Sequence, residues 1–394
     1  MSEMLSLEEA WERLLALAPK RHAALIGLMP FAPTRYLADD IAAQRTQPPA
    51  DLSAMDGYAL APGDGPWTLA GESRAGAPFE GTLDAGQCVR ISTGATMPKG
   101  ADRVLIQENA KVEKGVVAAS EQPIVGAHIR KAGFDFEFGD VVLTKGTRLN
   151  ASVLALAAAS GQQCLPLIEP PAVAVLDSGD ELVPAGEPCE PYQIPASNGL
   201  MIGAMLHPYV GLVESLGPVR DDPHALAAAL KRSEDSHILI TSGGASVGDH
   251  DLMQQALKDW GAEIDFWKVA IKPGKPLMVA TRGDQVIIGL PGNPVSSFVT
   301  CFLFALPLIR ASMGATDPLP KHHTLTAAED LPATVGRREF LRGFSDGAHV
   351  RLAGSQDSSA LRSLAAANCL IDRPANAPVV RAGEPVTVYN LQNG

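Results

Sequence analysis

The chain has 394 residues, of which 46% are hydrophobic and 19% charged, and its formal net charge is −12. This length exceeds what one ordinary domain needs, so we expect roughly two to four domains. Because nucleic-acid-binding surfaces are usually basic and the sequence contains no basic run, nucleic acid is not the expected partner. The five cysteines are scattered without a C-x-x-C pair, which argues against a structural zinc site or a disulfide framework.

The first 45 residues are predicted to be mainly helical. Ser6-Leu-Glu-Glu9 has the form of a capping box, and Leu7, Trp11 and Leu14 then recur at helical spacing. The start of the chain is acidic and has no signal-peptide pattern. The most apolar stretch, residues 295–309, is shorter than the roughly 20 residues that cross a bilayer. We therefore expect a soluble, cytoplasmic protein that makes no membrane contact.

Residues 46–140 differ from the preceding segment in composition and hydrophobic pattern. Glycine and proline occur often, and they separate short apolar runs such as Trp67-Thr-Leu-Ala70 and Arg103-Val-Leu-Ile106, which is typical of strands and turns. Residues 141–170 return to a helical pattern that includes an alanine-rich run. We therefore predict a β-rich insertion at 46–140, which splits a helical domain formed by residues 1–45 and 141–170.

From residue 171 to residue 318, strands and helices alternate. Val173-Ala-Val-Leu176 and His237-Ile-Leu-Ile-Thr241 are predicted strands, and Asp222 followed by Pro223 is predicted to begin a helix. This rhythm is typical of an α/β domain with a mostly parallel sheet, which binds ligands at the carboxyl ends of its strands. Residues 319–394 return to short strands and turns, a small β domain. The predicted fold class is multidomain α/β.

Three loops of the α/β region carry most of the functional signal. They are Thr241-Ser-Gly-Gly-Ala-Ser-Val-Gly-Asp249, Ile271-Lys-Pro-Gly-Lys-Pro276 and Gly289-Leu-Pro-Gly-Asn-Pro294. Glycine lets the backbone approach a ligand closely, and free N–H groups at a helix start attract anions. Two lysines add fixed positive charge. Together the loops predict a pocket for a phosphorylated ligand, although each loop alone is also explained as a turn or a helix entry.

Carboxylates occur beside these loops. Asp249 and Asp251 flank His250 where a helix is predicted to begin, and Asp177-Ser-Gly-Asp-Glu181 follows the first strand of the α/β region. Magnesium favours one or two carboxylates together with phosphate oxygens of a substrate, so a magnesium site is one interpretation. Helix capping or a simple turn is the alternative, and the residues alone leave both open.

These motifs and several others, in this order, resemble one protein family. The others are Ser53-Ala-Met-Asp-Gly-Tyr-Ala59, Arg90-Ile-Ser-Thr-Gly94, Ser178-Gly-Asp-Glu181, Arg220-Asp-Asp-Pro-His-Ala225 and Phe266-Trp-Lys-Val-Ala270. The chain resembles the bacterial molybdopterin molybdenumtransferases of the MoeA family, which are related to the E region of eukaryotic gephyrin. The resemblance extends over nearly the whole chain, and its motifs are specific as a set rather than singly.

The resemblance implies an elongated homodimer with four domains per subunit and with active sites between the subunits. The domains would be a split helical dimerisation domain at 1–45 and 141–170, the β-rich insertion at 46–140, an α/β nucleotide- and molybdopterin-binding domain at 171–318, and a C-terminal β-barrel at 319–394. The implied reaction inserts molybdenum from molybdate into adenylylated molybdopterin and releases AMP, with magnesium as cofactor. Contact with molybdopterin adenylyltransferase and with downstream cofactor-handling proteins is implied as well.

The resemblance also assigns roles to residues. The implied catalytic residues are Asp56, Thr93, Asp135, Lys272 and Lys275. The implied ligand-binding residues are Gly243, Gly244, Ser246, Gly248, Pro291, Pro294 and Arg342. The implied metal ligands are Asp251 and Glu181. In this scheme the two lysines neutralise phosphate or molybdate oxygens, and Asp56 and Thr93 complete the cleft from the partner subunit.

The chain departs from the family pattern at two places. Phe134 stands in Gly133-Phe134-Asp135 where the family commonly has a glutamate, so one carboxylate is missing. Gly354-Ser-Gln-Asp-Ser358 replaces Gly-His-Gln-Gly-Ser and adds a negative charge at Asp357, where an anionic pterin is expected to dock. Arg337 and Arg342 are expected to compensate for that charge.

Two other functions are weighed against this one. A molybdopterin adenylyltransferase would have a similar α/β domain but would need neither the β-rich insertion nor the C-terminal barrel. A non-catalytic scaffold related to gephyrin would predict decayed site loops, whereas the loops here are intact.

Overall fold

The computed structural model describes residues 4–29, 34–243 and 252–391, apart from the side chain of Phe266. Up to residue 168 the elements are β1 (Met4–Leu5), α1 (Leu7–Ala16), β2 (Ala23–Gly27), β3 (Ile41–Ala42), β4 (Leu52–Ser53), β5 (Gly57–Leu60), β6 (Trp67–Ser73), β7 (Gln87–Ile91), β8 (Arg103–Ile106), a 3-10 turn (Gln107–Asn109), β9 (Ala110–Glu113), β10 (Val116–Ala119), β11 (Ile129–Arg130), β12 (Val141–Leu143), α2 (Ala151–Ala159) and β13 (Cys164–Ile168).

The first 45 residues are less helical than the sequence predicted. The capping box is present, because the Ser6 hydroxyl accepts the Glu9 N–H at 3.1 Å while the Glu9 carboxylate accepts the Ser6 N–H at 2.7 Å. After α1, however, β2 pairs antiparallel with β13 and β3 with β12. The prediction of a mainly helical segment is therefore wrong beyond α1. The strands join segments more than a hundred residues apart, and such pairing leaves no helical period to detect.

Residues 46–140 form strands and turns, as predicted. Among the described residues they build a six-stranded sheet in the order β8-β5-β7-β6-β10-β9 and a short pair, β4 with β11. Trp67 is fully buried in this region, and its indole N–H donates to the Ala61 carbonyl at 3.0 Å. The insertion thus has a small core of its own.

The middle of the chain alternates strands and helices. Its elements are β14 (Val173–Asp177), β15 (Leu182–Val183), β16 (Ile194–Pro195), α3 (Asn198–Val210), β17 (Val213–Ser215), α4 (Pro223–Arg232), β18 (Ile238–Ser242), α5 (Leu252–Asp259), β19 (Glu263–Val269), β20 (Ile271–Lys272), β21 (Pro276–Arg282), β22 (Gln285–Leu290), α6 (Pro294–Thr300), a π-helical turn (Cys301–Ala305) and α7 (Leu306–Ser312).

The central sheet is mostly parallel and is covered on both faces. Its order is β1-β19-β21-β22-β18-β14-β17, and only β21 runs antiparallel to its neighbours. One face packs on α4 and α5, and the other packs on α1, α3, α6 and α7. Because Asp177, Ser242 and Leu290 are register partners at the carboxyl ends of β14, β18 and β22, the loops that follow these strands leave one edge together.

A long apolar helix runs through this core. The stretch Pro294–Ser312 is long and apolar enough to cross a membrane by length and composition, but 89% of it is buried inside the protein, as in a core helix. A π-turn interrupts it, and Pro307 lacks the N–H that the Leu303 carbonyl would accept in a regular α-helix. The Trp11 indole on α1 donates to that carbonyl instead, at 2.6 Å.

The last part of the chain forms a closed barrel. Its elements are β23 (His322–Ala327), β24 (Arg338–Ser345), β25 (His349–Leu352), α8 (Leu361–Ala365), β26 (Cys369–Arg373) and β27 (Pro385–Asn390). The pairings β24-β25-β23-β27-β26-β24 close a ring of five strands. The short strand β20 adds to β24, which ties the barrel to the lysine-bearing turn of the central domain.

Candidate active site

The loops after β14, β18 and β22 meet, as the predicted parallel sheet requires. The Ser178 N–H donates to the Ser242 carbonyl at 3.3 Å, and the Gly243 N–H donates to the Leu290 carbonyl at 3.2 Å. Gly243 has a φ of +93°, and a Cβ there would lie 3.0 Å from the Ser178 carbonyl oxygen, so glycine suits the position. The loops surround a cleft of about 690 Å³. Of the predicted ligand residues, Gly243, Pro291 and Pro294 line it.

The rest of the glycine loop falls in residues 244–251. Gly244, Ser246, Gly248 and Asp251 therefore lie outside the described residues, and their assigned roles stay predictions.

The C-terminal barrel closes one side of the cleft. The Val295 N–H, in the first turn of α6, donates to the Ser358 carbonyl at 3.0 Å, and Asn293 Nδ2 donates to the Ser358 hydroxyl at 3.2 Å. Ser359 and Leu361 also line the cleft. The loop at residues 354–359 therefore caps the helix that begins at the Pro291–Pro294 turn, and it joins two domains at the site.

Arg342 is hydrogen-bonded to the backbone of this loop. The residue is only 1% exposed, and its Nη2 donates to the carbonyls of Ser355 and Asp357 at 3.0 Å each. Burial lowers the pKa of its guanidinium. From the sequence, Arg342 is expected to compensate for the charge of Asp357 at a docked ligand. In this structure it is buried on backbone oxygens, so it positions the loop.

The two predicted lysines lie at the junction of the central domain and the barrel. Lys272 Nζ lies 3.2 Å from Glu339 Oε1 on β24, and its side chain is 53% exposed. Lys275 is exposed and makes no ion pair within the described ranges. Between them, Gly274 has a φ of +102°, and a Cβ there would lie 2.4 Å from Thr300 Cγ2. The turn thus packs closely on α6 and presents one paired and one unpaired ammonium group.

Glu181 is the predicted metal ligand that the structure describes. Its carboxylate lies over Gly179, where a Cβ would meet Oε2 at 2.6 Å, and it lines the cleft. Within residues 4–29, 34–243 and 252–391, no group of three or more His, Cys, Asp or Glu side chains could hold a metal ion. One carboxylate at the wall of a cleft still fits magnesium, which is commonly held by one or two carboxylates, substrate oxygens and water.

Asp56 and Thr93 lie together on the β-rich insertion. Asp56 Oδ1 accepts hydrogen bonds from the Thr93 N–H at 2.6 Å and from the Thr93 hydroxyl at 3.0 Å. These bonds, the backbone bond first, hold the pKa of the Asp56 carboxyl below its usual value, and the charge of Arg90 adds to the effect. The carboxylate is exposed and ionised at neutral pH.

Asp135 belongs to a loop of the same insertion, where its N–H donates to the Gln47 carbonyl at 3.0 Å. Phe134 beside it is 74% exposed. Of the described residues that line the cleft, none comes from residues 46–140. Within this chain, the predicted site residues therefore form two separate groups, one on the insertion and one at the cleft.

Asn198 was not singled out from the sequence, and Asp177 was named there only as one of the carboxylates that follow the first strand of the α/β region. Asp177 ends β14 and is 5% exposed, and its Oδ2 accepts the Gly199 N–H at 2.6 Å. Burial raises the pKa of the Asp177 carboxyl, and the hydrogen bond from the Gly199 N–H opposes that rise. Asn198 Nδ2 bridges the Ser242 hydroxyl at 2.9 Å and the Gly292 carbonyl at 2.7 Å. The sequence carried no signal for this role, because Asn198 is the first residue of α3 and asparagine is common at helix starts.

Family models match the chain in three successive segments. The MoeA N-terminal region (domain I and II) matches residues 5–161, a probable molybdopterin binding domain matches 174–311, and the MoeA C-terminal region (domain IV) matches 324–391. A molybdopterin molybdenumtransferase of Haemophilus influenzae is 35% identical over 98% of both chains. The chain belongs to the MoeA family of molybdopterin molybdenumtransferases. A Bacillus subtilis protein of the same name is 32% identical over 91% of this chain and 87% of its own length.

A solved MoeA structure supports the same assignment at the level of fold. The molybdopterin biosynthesis MoeA protein of Pyrococcus horikoshii is 26% identical, covers 99% of this chain and 100% of its own, and superposes with a TM-score of 0.85. The multidomain α/β architecture and the C-terminal five-stranded barrel expected from the resemblance are thus confirmed. The helical content expected for the split domain is not, as the strand pairs above show.

Proposed function

We propose that the chain inserts molybdenum from molybdate into adenylylated molybdopterin and releases AMP. The observation that carries the proposal is the cleft where the three strand-end loops meet the start of α6, with two lysines on an adjoining turn. MoeA-family membership and the printed name of the relatives support molybdenum transfer to molybdopterin. The adenylylated form of the substrate is our extension.

Electrostatic positioning is the chemistry that these residues can supply. Molybdate is a dianion and the adenylylated pterin is also negative, so the two repel each other in water. Lys275 has no carboxylate partner in the described part of the chain, and Lys272 shares its charge with Glu339. Fixed cations at the junction of two domains can hold both anions in reach of each other without covalent catalysis.

Magnesium would add further positive charge. Glu181 would hold it together with phosphate oxygens of the substrate, and Asp251 is proposed as the second carboxylate. The ion would neutralise charge on the phosphoanhydride as AMP leaves. Glu181 would keep its carboxylate directed into the cleft, which its position over Gly179 favours.

A homodimer would bring the insertion to the cleft. Asp56, Thr93 and Asp135 do not line the cleft of their own subunit, so we propose that they face the cleft of the partner subunit. The ionised Asp56 would then position a ligand group or accept a proton there. A cytoplasmic location and contacts with other cofactor-handling proteins stay predictions.

The alternatives fit the molecule less well. An adenylyltransferase would need neither the insertion nor the barrel, yet both regions match MoeA models and the barrel contributes to the cleft wall. A pure scaffold would not need lysines beside a glycine-lined cleft.

The deciding experiment measures AMP release from adenylylated molybdopterin in magnesium, with and without molybdate. Molybdate-dependent release, matched by molybdenum found on the pterin, is the expected result. If AMP release does not depend on molybdate, or if ATP-dependent adenylylation of free molybdopterin is seen instead, the proposal fails. Ligand binding without either reaction would favour the scaffold.

A further inference from the structure

Two buried acceptor oxygens at the wall of the cleft have no hydrogen-bond partner among the described residues. They are Asp177 Oδ1 and Asn198 Oδ1. Buried polar atoms are nearly always paired, because an unpaired one destabilises the folded protein. At the wall of a ligand cleft, a bound ligand can supply the hydrogen-bond donors that such atoms lack.

Each oxygen is held in place because the other polar atom of the same side chain is hydrogen-bonded. Asp177 Oδ2 is fixed by the Gly199 N–H, and the backbone is crowded there, because a Cβ on Gly199 would lie 2.4 Å from Oδ2 and one on Gly217 would lie 2.6 Å from the Asp177 carbonyl. Asn198 is fixed by its two donated bonds to Ser242 and Gly292. Its Nδ2 is thereby committed, so Oδ1 is left as the only free function of the amide.

The two residues are also neighbours. The Gly199 N–H that binds Asp177 belongs to the residue after Asn198, and Ser242, which Asn198 binds, is the register partner of Asp177. Both residues line the same cleft. Both unpaired oxygens therefore belong to neighbouring residues of the cleft wall, and one of them is a carboxylate oxygen.

Two adjacent acceptors select a ligand edge with two adjacent donors. The aminopyrimidinone edge of a pterin has this pattern, since its 2-amino group and its N3–H both donate. The Watson–Crick edge of adenine has one donor and one acceptor, so its N1 lone pair would face an acceptor. The chemistry thus favours the pterin over the adenine part of an adenylylated molybdopterin.

We infer that Asp177 and Asn198 read the aminopyrimidinone edge of the pterin, with Asp177 Oδ1 accepting from the 2-amino group and Asn198 Oδ1 from N3–H. This inference rests on the proposed function, whose substrate it makes more specific. Asp177 is a specificity-determining residue in this scheme, and it takes no part in bond making.

Asp177→Asn tests the inference because it changes one atom. One oxygen of the new amide must still accept the Gly199 N–H, so its NH₂ group would face the ligand. The hydrogen-bond acceptor Asp177 Oδ1 is thereby replaced by a hydrogen-bond donor. The probes are 6-hydroxymethylpterin and 6-hydroxymethyllumazine, which carry an amino group and a carbonyl, respectively, at position 2. Binding of both to the full-length protein is measured by fluorescence titration.

The wild type is expected to prefer the pterin, and Asp177→Asn is expected to bind the pterin at least about tenfold more weakly and to prefer the lumazine. Asp180→Asn is the matched control, since Asp180 is an exposed carboxylate on the same loop that accepts the Asp221 N–H at 3.2 Å. It should keep the wild-type preference. Melting curves of all three proteins verify that they are folded.

Three results would overturn the inference. They are an unchanged pterin preference in folded Asp177→Asn, equal weakening of both probes by that variant, and failure of the wild type to bind either probe. Loss of AMP binding rather than pterin binding would assign the adenine to these residues and would also overturn it. The molybdate-dependent release of AMP is scored separately, so a wild type that prefers pterin but transfers no molybdenum rejects only the proposed function.

Discussion

The hydroxyl of Thr93 is one of two donors that keep Asp56 ionised. Thr93→Val removes that hydroxyl and leaves the backbone N–H in place. The pKa of Asp56 lies below its usual value, so the ionised form persists as pH falls until the pH reaches the folded-state pKa. We therefore expect the variant to lose molybdenum transfer at a higher pH on the acid side than the wild type does, while the rate near neutral pH changes little. A pH–rate profile checks this.

Thr68→Val, at an exposed threonine on β6, is the control for that experiment. An acid limb that does not move in Thr93→Val would mean that ionisation of Asp56 does not limit the reaction.

The pKa of Asp177 is shifted in the direction opposite to that of Asp56, and this shift predicts how stability depends on pH. Burial raises the pKa of its carboxyl, so the folded state binds this proton more tightly than the unfolded chain does. The folded protein is then destabilised as pH rises from the ordinary aspartate value through the raised folded-state value, and it stays so above. Asp177→Asn removes this penalty. Its melting temperature at neutral pH should equal or exceed that of the wild type, and the difference should shrink toward acid pH. A lower melting temperature at neutral pH would contradict this account.

The positions of some of these residues in the fold could be predicted from the sequence, and those of others could not. Glycines after an apolar strand could be placed at a sheet edge by elementary rules, and Gly243, Pro291 and Pro294 do lie there. Asp56 and Thr93 could not be paired by such rules, because they meet only through the pairing of β5 with β7; the family resemblance alone singled them out. The burial of Arg342 on the loop at residues 354–359 could not be predicted, because the conformation of that loop depends on contacts between distant segments. Its assigned role in ligand binding stays a prediction.

At the level of elements, one buried hydrogen bond joins α1 to the long helix. Trp11→Phe removes the donor to the Leu303 carbonyl, which is buried beside Pro307. We expect the free energy of unfolding to fall by about 1–3 kcal/mol for the unpaired carbonyl, in addition to the effect of the smaller ring. Urea denaturation measures the change.

Pro307→Ala provides the internal control, since alanine restores an N–H in the helix. If the carbonyl is what matters, Trp11→Phe will cost less in the Pro307→Ala background than in the wild type. Equal costs in both backgrounds would mean that the indole contributes only by packing.

The same region explains why elements were harder to predict than loops. The capping box and the spacing of Leu7, Trp11 and Leu14 identified α1 correctly, because a helix is encoded within a few residues. β2 was missed because its partner β13 lies far along the chain. The π-turn in the long helix was not predicted either, since no local sequence pattern marks it.

For the whole molecule, the proposed site between subunits makes a prediction about mixtures. Asp56→Ala and Lys275→Ala are each expected to abolish molybdenum transfer while the protein stays dimeric. A mixed dimer of the two variants would have one site with both defects and one with neither. Unfolding and refolding an equal mixture should therefore restore about a quarter of the wild-type activity. Activity that stays absent, although mixed dimers are present by mass spectrometry, would place both residues in one site of the same subunit.

The barrel is joined to the rest of the molecule by an ion-pair network. Arg338 donates to Asp372 at 2.7 and 2.5 Å and to Glu8 on α1 at 2.7 Å, and the Asp372 side chain is only 4% exposed. Removing one partner of a buried pair costs about 3–5 kcal/mol. Asp372→Ala should therefore lower the free energy of unfolding by about that amount. A matched change at the exposed pair, Asp330→Ala, should lower the free energy of unfolding far less.

The two-residue strand β1 has a practical consequence. It pairs Met4 and Leu5 in parallel with Lys268 and Val269 at the outer edge of the central sheet. An uncovered sheet edge is a template on which another chain can add a strand. An affinity tag or a truncation that pulls Met4 and Leu5 away from β19 would uncover such a template. Preparations altered at this end are therefore expected to self-associate, so the oligomeric state of this protein is best measured on the untagged chain.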